Sequence, residues 1–380
     1  MSRRFSRRSM LAMGSAVLIS GCSQPFSVLK SEGSKCEPTS GAWPMAGFDA
    51  ARTSVLSAQD VPDTSLPAQA FVPQSANFVT NAPPVVTDGV VYTAGSNRVD
   101  TRSLNTGQQY WEVEMAGETE VSPVVTCDSL VVSTHNETVA YSLADGRELW
   151  RTDSGSINGS PVAHDGTVFV GETGRVIAID GGTGKKRWEQ SADANGIAVG
   201  ERVYAVAGAN DRGAVTAITH HGDRFWHTDG LEPLYATPAL GNGTLFAPSK
   251  TGTLYALDTD DGSLQWEQPI EQGVYESPAV GANAVIVAAG NGERTIAVDA
   301  TTGKQRWTHR TGVSQSGPVI VGDRVVSAGA NTGIFLLDLH TGEQLRHWPV
   351  TGVGSQVIPV DGRLLYRRGF DSVLVVIESR

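Results

Sequence analysis

Lysine is scarce in this chain of 380 residues, with 6 lysines against 23 arginines. Cysteine is scarcer still: three residues, no two adjacent and no Cys-x-x-Cys spacing. That excludes a disulfide-dense scaffold and a cysteine-built zinc site. The eight histidines are scattered without metal-ligand spacing; His220 and His221 are neighbours, and adjacent side chains do not aim at one metal. There is no Gly-x-Ser-x-Gly elbow and no phosphate-binding loop. The apolar stretch at about 11–19 falls short of the roughly 20 residues that span a bilayer. Basic residues are outnumbered 29 to 40, for a net charge of −11, and the first 22 residues hold four arginines and no acid, so their removal leaves −15. Without a basic patch, nucleic acid is excluded as a partner, since phosphate contacts need lysine and arginine clusters. Acidic excess with few lysines is halophilic-like, as in secreted proteins whose carboxylate-rich surfaces keep them soluble in salt; a GC-rich genome gives the same arginine bias.

What is present is a clock. Trp111, Trp150, Trp188, Trp226, Trp266, Trp307 and Trp348 are spaced 39, 38, 38, 40, 41 and 41 residues apart. Self-similarity near a period of 40 signals a propeller or another array. Six of these tryptophans come four residues after a turn glycine, as in Thr183-Gly184, Asp261-Gly262 and Thr302-Gly303, while Trp348 follows Thr341-Gly342 by six. About eleven or twelve residues beyond most of them stands a small residue plus proline: Ser122-Pro123, Ser160-Pro161, Thr237-Pro238, Ser277-Pro278 and Gly317-Pro318. Two such anchor positions, near Gly196 and Val357, lack the proline. Between anchor and tryptophan lie short β-rich runs such as 167–171 and 176–180, so each unit supplies four strands. Eight anchors can be counted from Pro84 to Val357, but seven tryptophan strands follow them. The segment 68–72, with Phe71 in the tryptophan's place, is expected to complete the last unit and close an all-β, eight-bladed propeller whose ring leaves no open edge.

The run Ala297-Val298-Asp299-Ala300-Thr301-Thr302-Gly303-Lys304-Gln305-Arg306-Trp307, its counterpart at 178–188 and the entry segment Trp43-Pro44-Met45-Ala46-Gly47-Phe48-Asp49 resemble the pyrroloquinoline-quinone (PQQ)-like repeat family over residues 43–380. The resemblance implies the eight-bladed fold. For activity it implies either of two things, because fold and function separate in this family. Its dehydrogenases hold the quinone with calcium, a base aspartate and often a vicinal disulfide; its non-catalytic members include a lipoprotein scaffold of bacterial outer-membrane assembly. This chain has no Cys-Cys pair and no matching calcium or base motif, and little room for long insertions. The expectation is therefore a non-enzyme without cofactor. The alternatives are a PQQ- and calcium-dependent dehydrogenase using Glu120, Asn158 and Asp193, or a sensor for small polar ligands.

The amino terminus reads as an address. Ser6-Arg7-Arg8-Ser9-Met10-Leu11 carries the paired arginines of a twin-arginine signal, and Ile19-Ser20-Gly21-Cys22 resembles a lipobox whose cysteine is acylated. A plain cleaved signal is the simpler alternative. The division expected is a signal over 1–21, a Ser/Gly/Pro-rich tether over 22–42 and the propeller over 43–380, lipid-anchored on the outer face of the cytoplasmic membrane. Cys36, in the tether, and Cys127, in a turn of the second unit, either pair and pin the tether or remain two free thiols.

The repeated tryptophans are read as blade-packing residues, and Asp180, Asp258, Asp299 and Asp338 as acceptors within turns. One face is a candidate for binding, since the positions three before each anchor read Asn81, Glu120, Asn158, Asp193, Tyr235, Tyr275 and Gln315, with Glu276 beside Tyr275. Polar groups around a concavity are the default for a ligand site, although loops beside any propeller's water-filled channel are also polar. The partners expected are other membrane or extracytoplasmic proteins, with the membrane itself engaged through the lipid.

Overall fold

The computed structural model describes residues 42–57, 69–71, 82–209, 211–270, 273–289, 293–314, 316–369 and 374–378, with backbone alone for Gln69–Phe71. These lie in a compact unit of residues 35–380. Cys22, Cys36, Asn81 and Gln315 fall outside the described residues.

Eight sheets follow one another along the chain, covering 85–114, 124–153, 162–191, 196–231, 239–269, 279–310, 319–348 and 358–378. Each of the first seven is an antiparallel meander of four strands, inner to outer in chain order. In the eighth, Gln69–Phe71 pairs antiparallel with Leu374–Glu378, with Gln69 opposite Glu378 and Phe71 opposite Val376. Thus the amino-terminal strand closes the ring. The meander produces two faces. Turns between first and second strands share the turn face with the Thr-Gly turns between third and fourth; the outer-to-inner connections share the loop face with the second-to-third loops.

The middle two strands of each blade are nearly continuous runs of Val, Ile, Leu and Ala because both their faces are covered by neighbouring blades. Phe246 and Leu254 of blade five, for instance, share a core cluster with Val285 and Val287 of blade six. On the outer strand the register slips by one residue just before the tryptophan, as between Ala178 opposite Trp188 and Ile179 opposite Lys186. Such a bulge re-aims the side chain that follows it. The indole Nε1 then donates to a turn carbonyl of the next blade: Trp111 to Leu143 at 3.0 Å, Trp150 to Gly181 at 2.9 Å, Trp188 to His220 at 2.8 Å, Trp226 to Thr259 at 3.0 Å, Trp266 to Ala300 at 3.1 Å and Trp307 to Leu339 at 2.8 Å. Trp348 is 2% exposed in the core between blades seven and eight. The turn glycine of the next blade lies flat on the indole: a Cβ on Gly184, at φ +71°, would stand 2.7 Å from Cε3 of Trp150. Both its left-handed backbone and its close approach require glycine there.

A further strand, Val55–Leu56, runs parallel to Val319–Val321 at the inner edge of blade seven, making that sheet five-stranded. It belongs to the segment 42–57, which occupies the ring's axis.

Candidate functional site

The repeat pattern leaves the axis unspecified, and the chain fills it with its own residues. Backbone groups of 42–57 bond in succession to the inner strands around the ring. Trp43 exchanges both hydrogen bonds with Val86 at 2.6 and 2.8 Å, and the Pro44 carbonyl accepts Val125 N–H at 2.8 Å. The carbonyls of Ala50, Ala51, Thr53 and Ser54 accept the N–H groups of Val199, Leu240, Val280 and Ile320 at 2.7 to 2.9 Å. These contacts cluster where the inner strands end, so the segment closes the axis from the turn face.

Arg52 supplies the missing third blade. Its backbone, at φ +60°, sits in the left-handed region, where a non-glycine residue is costly unless surroundings enforce it. The side chain, 1% exposed, rises towards the anchor ends of blades three and four. Nη2 donates to the Ser160 carbonyl at 2.7 Å and Pro161 at 3.3 Å, Nε to Ile197 at 3.2 Å, and Nη1 to Ala46. Burial lowers its pKa to about 10, partly offset by the Asp49 carboxylate. Burial in turn raises Asp49, whose oxygens accept Thr53 N–H at 2.9 Å and Thr53 Oγ1 at 2.6 Å. Gly47 is dictated by Arg52: at φ +70°, its Cβ would lie 3.0 Å from Arg52 Cδ. With its donors spent on carbonyls, this guanidinium is a clamp rather than an anion receptor.

On the loop face the candidate residues separate. Glu120 and Asn158 are exposed on blades two and three, and Asn158 Nδ2 donates to Thr173 Oγ1 at 3.3 Å. Asp193 lines a shallow recess between blades three and four with Ala207, Arg224 and His227. Tyr235 and Tyr275, 42% and 52% exposed, are brought together by Lys250, whose Nζ lies 5.1 and 5.9 Å from their ring centres. Glu276 beside them is partly buried, and desolvation raises its pKa. Val313, in the connection entering blade seven, is 49% exposed.

Acids occur on both faces. Six of the eight turns between first and second strands carry an acid: Asp88, Asp128, Asp165, Glu201, Asp323 and Asp361. The loop face also carries acids, among them Glu118, Glu120, Asp193, Asp211, Glu232, Glu276 and Glu293, interspersed with Ser, Gly, Thr and Asn, and it exposes Tyr235, Tyr275 and Val313.

The calcium site of the dehydrogenase branch is not assembled by the described residues of this face. Calcium takes six to eight oxygen ligands, whereas Glu120, Asp193 and Glu276 belong to the edges of blades two, four and six. No group of three or more His, Cys, Asp or Glu among the described residues is placed to hold a metal ion. The histidines engage in other contacts: His220 stacks on His164 at 5.7 Å on the turn side, and His347 on Phe335 at 4.5 Å.

Fold and repeat together define a PQQ-like repeat propeller with a self-filled axis. A family model described as outer membrane protein assembly factor BamB matches residues 46–210, 135–235 and 211–376, and the chain belongs to that family. An outer membrane protein assembly factor BamB of Moranella endobia is 28% identical over 321 residues, covering 79% of this chain and 69% of the relative. Among solved structures, BamB from Moraxella catarrhalis superposes with a TM-score of 0.68 at 19% identity, over 82% of this chain and 98% of that one. The quinohemoprotein alcohol dehydrogenase of Comamonas testosteroni superposes equally well, with a TM-score of 0.71 at 16% identity, over 89% and 80%. The shape is thus common to both kinds of protein.

Proposed function

We propose that this chain is a non-catalytic, extracytoplasmic scaffold that is lipid-anchored at Cys22, exported by the twin-arginine route, and docks other membrane or exported proteins on its loop face. The observation that carries the reading is a pair of exposed aromatics on the loop face: Tyr235 and Tyr275, from adjacent blades, are 42% and 52% exposed and are brought together by Lys250. Tyrosine is enriched in the core of protein interfaces. The relatives named as assembly factors support the same class of work, although the particular assembly served is a property of the partner. Sequence reasoning placed the anchor at the outer face of the cytoplasmic membrane; the relatives' name points to an outer membrane, and density-gradient fractionation decides between them.

Two measurements test the reading. A photo-crosslinking residue at position 275 should give a discrete protein adduct in intact cells, while the same residue at 361 on the turn face should not; equal labelling from both overturns the docking face. Titration of the purified propeller with PQQ and calcium, followed by tryptophan fluorescence, should show no saturable quenching. Micromolar binding, on the order of −8 kcal/mol, would return the enzyme reading.

A further inference from the structure

In the outer strands of the first three blades, the residue two before the tryptophan and the residue one after it bond each other. Gln109 Nε2 donates to Glu112 Oε2 at 2.8 Å, Arg151 Nη2 to Glu148 Oε2 at 2.7 Å and Lys186 Nζ to Glu189 Oε2 at 2.6 Å. Each pair joins a donor to an acceptor. Blade four departs from this: around Trp226 the same two positions hold Arg224 and His227, and neither meets a carboxylate among the described residues. Two donors therefore stand where the other blades satisfy one donor with one acid.

Both side chains line the recess between blades three and four, which holds about 360 Å³. His227 Nδ1 lies 2.9 Å from Oγ1 of Thr216, which is 6% exposed. With that hydroxyl donating to Nδ1, the ring carries its proton on Nε2 and keeps this N–H as a free donor. The opposite wall comes from the loop-face end of blade three and brings Asp193, which has no hydrogen bond or ion pair among the described residues. Arg175, next to Gly174 of the same wall, is already held by Glu172 at 2.6 Å and Glu189 at 3.6 Å. The backbone of blade four makes the room. Its third and fourth strands slip register twice, where those of blades one to three and five to seven slip once. The additional slip, between Gly213 opposite Leu231 and Val215 opposite Thr228, falls at Ala214 in the recess wall. Bulges of this kind re-aim side chains and recur beside binding sites.

We propose that this recess binds a small zwitterion, a free amino acid of short side chain, with its carboxylate between Arg224 and His227 and its ammonium on Asp193. Charge-assisted bonds from a guanidinium and a ring N–H suit a carboxylate. A simple carboxylic acid would leave Asp193 unanswered and set a second negative charge beside it, and a simple amine would leave Arg224 unanswered. Opposite charges within one molecule answer both walls, which is where the specificity arises. The volume falls at the small end of ligand pockets, about 300 to 1,000 Å³. Three alanines, Ala192, Ala207 and Ala214, leave space for a short side chain. The site is separate from the docking residues Tyr235 and Tyr275, so crosslinking at 275 and ligand binding here succeed or fail independently.

Saturation-transfer NMR titrations of the purified full chain at neutral pH test the site. The probes are glycine, L-alanine and L-serine, with propionate and ethylamine as ligands of a single charge. At least one amino acid should bind saturably and about tenfold or more tighter than either control, a difference of about 1.4 kcal/mol. Asp193→Asn should weaken that amino acid about tenfold without weakening propionate, whereas Arg224→Gln should weaken both; unchanged melting temperatures show that the variants fold. No saturable binding of any of the three amino acids overturns the site. Propionate binding as tightly as the amino acids overturns the zwitterion, and amino-acid binding that survives both substitutions overturns the assignment to this recess.

Discussion

Arg52 shows how much one side chain can hold together. Its guanidinium answers carbonyls from the anchor regions of blades three and four and from its own segment, in a place that water does not reach. Truncation would leave those carbonyls buried and unpaired, each costing about 1 to 3 kcal/mol. Arg52→Ala should therefore lower unfolding free energy by roughly 3 to 5 kcal/mol, measured by urea denaturation. Arg52→Lys should recover a minor part of this, because an ammonium cannot reach the same spread of acceptors. The tryptophans permit a finer dissection. Trp226→Phe keeps a ring in place but deletes the 3.0 Å bond to the Thr259 carbonyl, at about 1 kcal/mol. Truncating Trp307, 7% exposed, to alanine should cost about 3 to 5 kcal/mol through the cavity it leaves. Equal losses from the two changes would show that the ring's volume is irrelevant.

The third-to-fourth strand turn is the repeated element on which neighbouring blades meet. Its aspartate accepts from the turn and from the residue before the tryptophan: Asp180 Oδ2 from Arg187 at 2.7 Å, Asp299 Oδ2 from Arg306 at 2.7 Å. The Arg187 bond, joined by those from Thr183, lowers Asp180 to about 2, and the Arg306 bond does the same for Asp299. Asp338, lacking such an arginine bond, is lowered by the backbone and hydroxyl of Thr341. A carboxylate depressed in the folded state contributes stability above its unfolded pKa and loses it as pH falls through the folded one. These turns should accordingly weaken between about pH 4 and pH 2, and the melting temperature should fall across that window. The double variant Asp180→Asn, Asp299→Asn should start lower at pH 6 and fall less; an unchanged slope would remove the turns as the source. In the same element, Gly184→Ala must adopt a left-handed backbone, at about 1 to 2 kcal/mol, and displace the Trp150 ring. It should destabilise more than Gly166→Ala, whose added Cβ meets nothing within 4 Å at a comparable φ of +69°.

The whole molecule depends on its one discontinuous blade. Elsewhere an indole N–H ties each of the first six blades to the next, but Phe71 stands in the eighth blade's tryptophan position and a phenyl ring has no N–H to give. The seam between blades eight and one is bridged differently. Arg363 Nη1 donates to Asn105 Oδ1 at 2.7 Å, and the buried Arg367 feels the charge of Asp100. Deleting 67–77 should open this seam, exposing strand edges and apolar blade faces, and so produce early melting and self-association. A variant that melts and sediments like the intact chain would refute ring closure by Gln69–Phe71.

Much of this architecture was legible because it repeats. The tryptophan spacing, the proline anchors and the glycine turns report local geometry that recurs in most blades, although in blade seven Arg346 holds the tryptophan's register and Trp348 lies two residues on, and even the displaced closing strand was recognisable from Phe71 at the right distance. The axial segment left no such trace. Trp43 to Asp49 could be read as an entry segment, but Arg52 occurs once, without periodicity, and its partners outside that segment lie 108 to 145 residues away. Likewise the residues three before each anchor occupy equivalent places in sequence, yet they do not converge. Each blade is rotated about the axis relative to the last, so Asp193 lines a recess near the rim while Tyr235 and Tyr275 meet across Lys250. Sequence by itself determined the class of blade, their number and the closure, since these follow from short-range pattern and strand pairing. Tertiary structure alone decided that Arg52 and its segment bind the inner strands around the ring, and that Tyr235 and Tyr275 meet across Lys250, because both depend on where a closed ring places residues that are far apart along the chain.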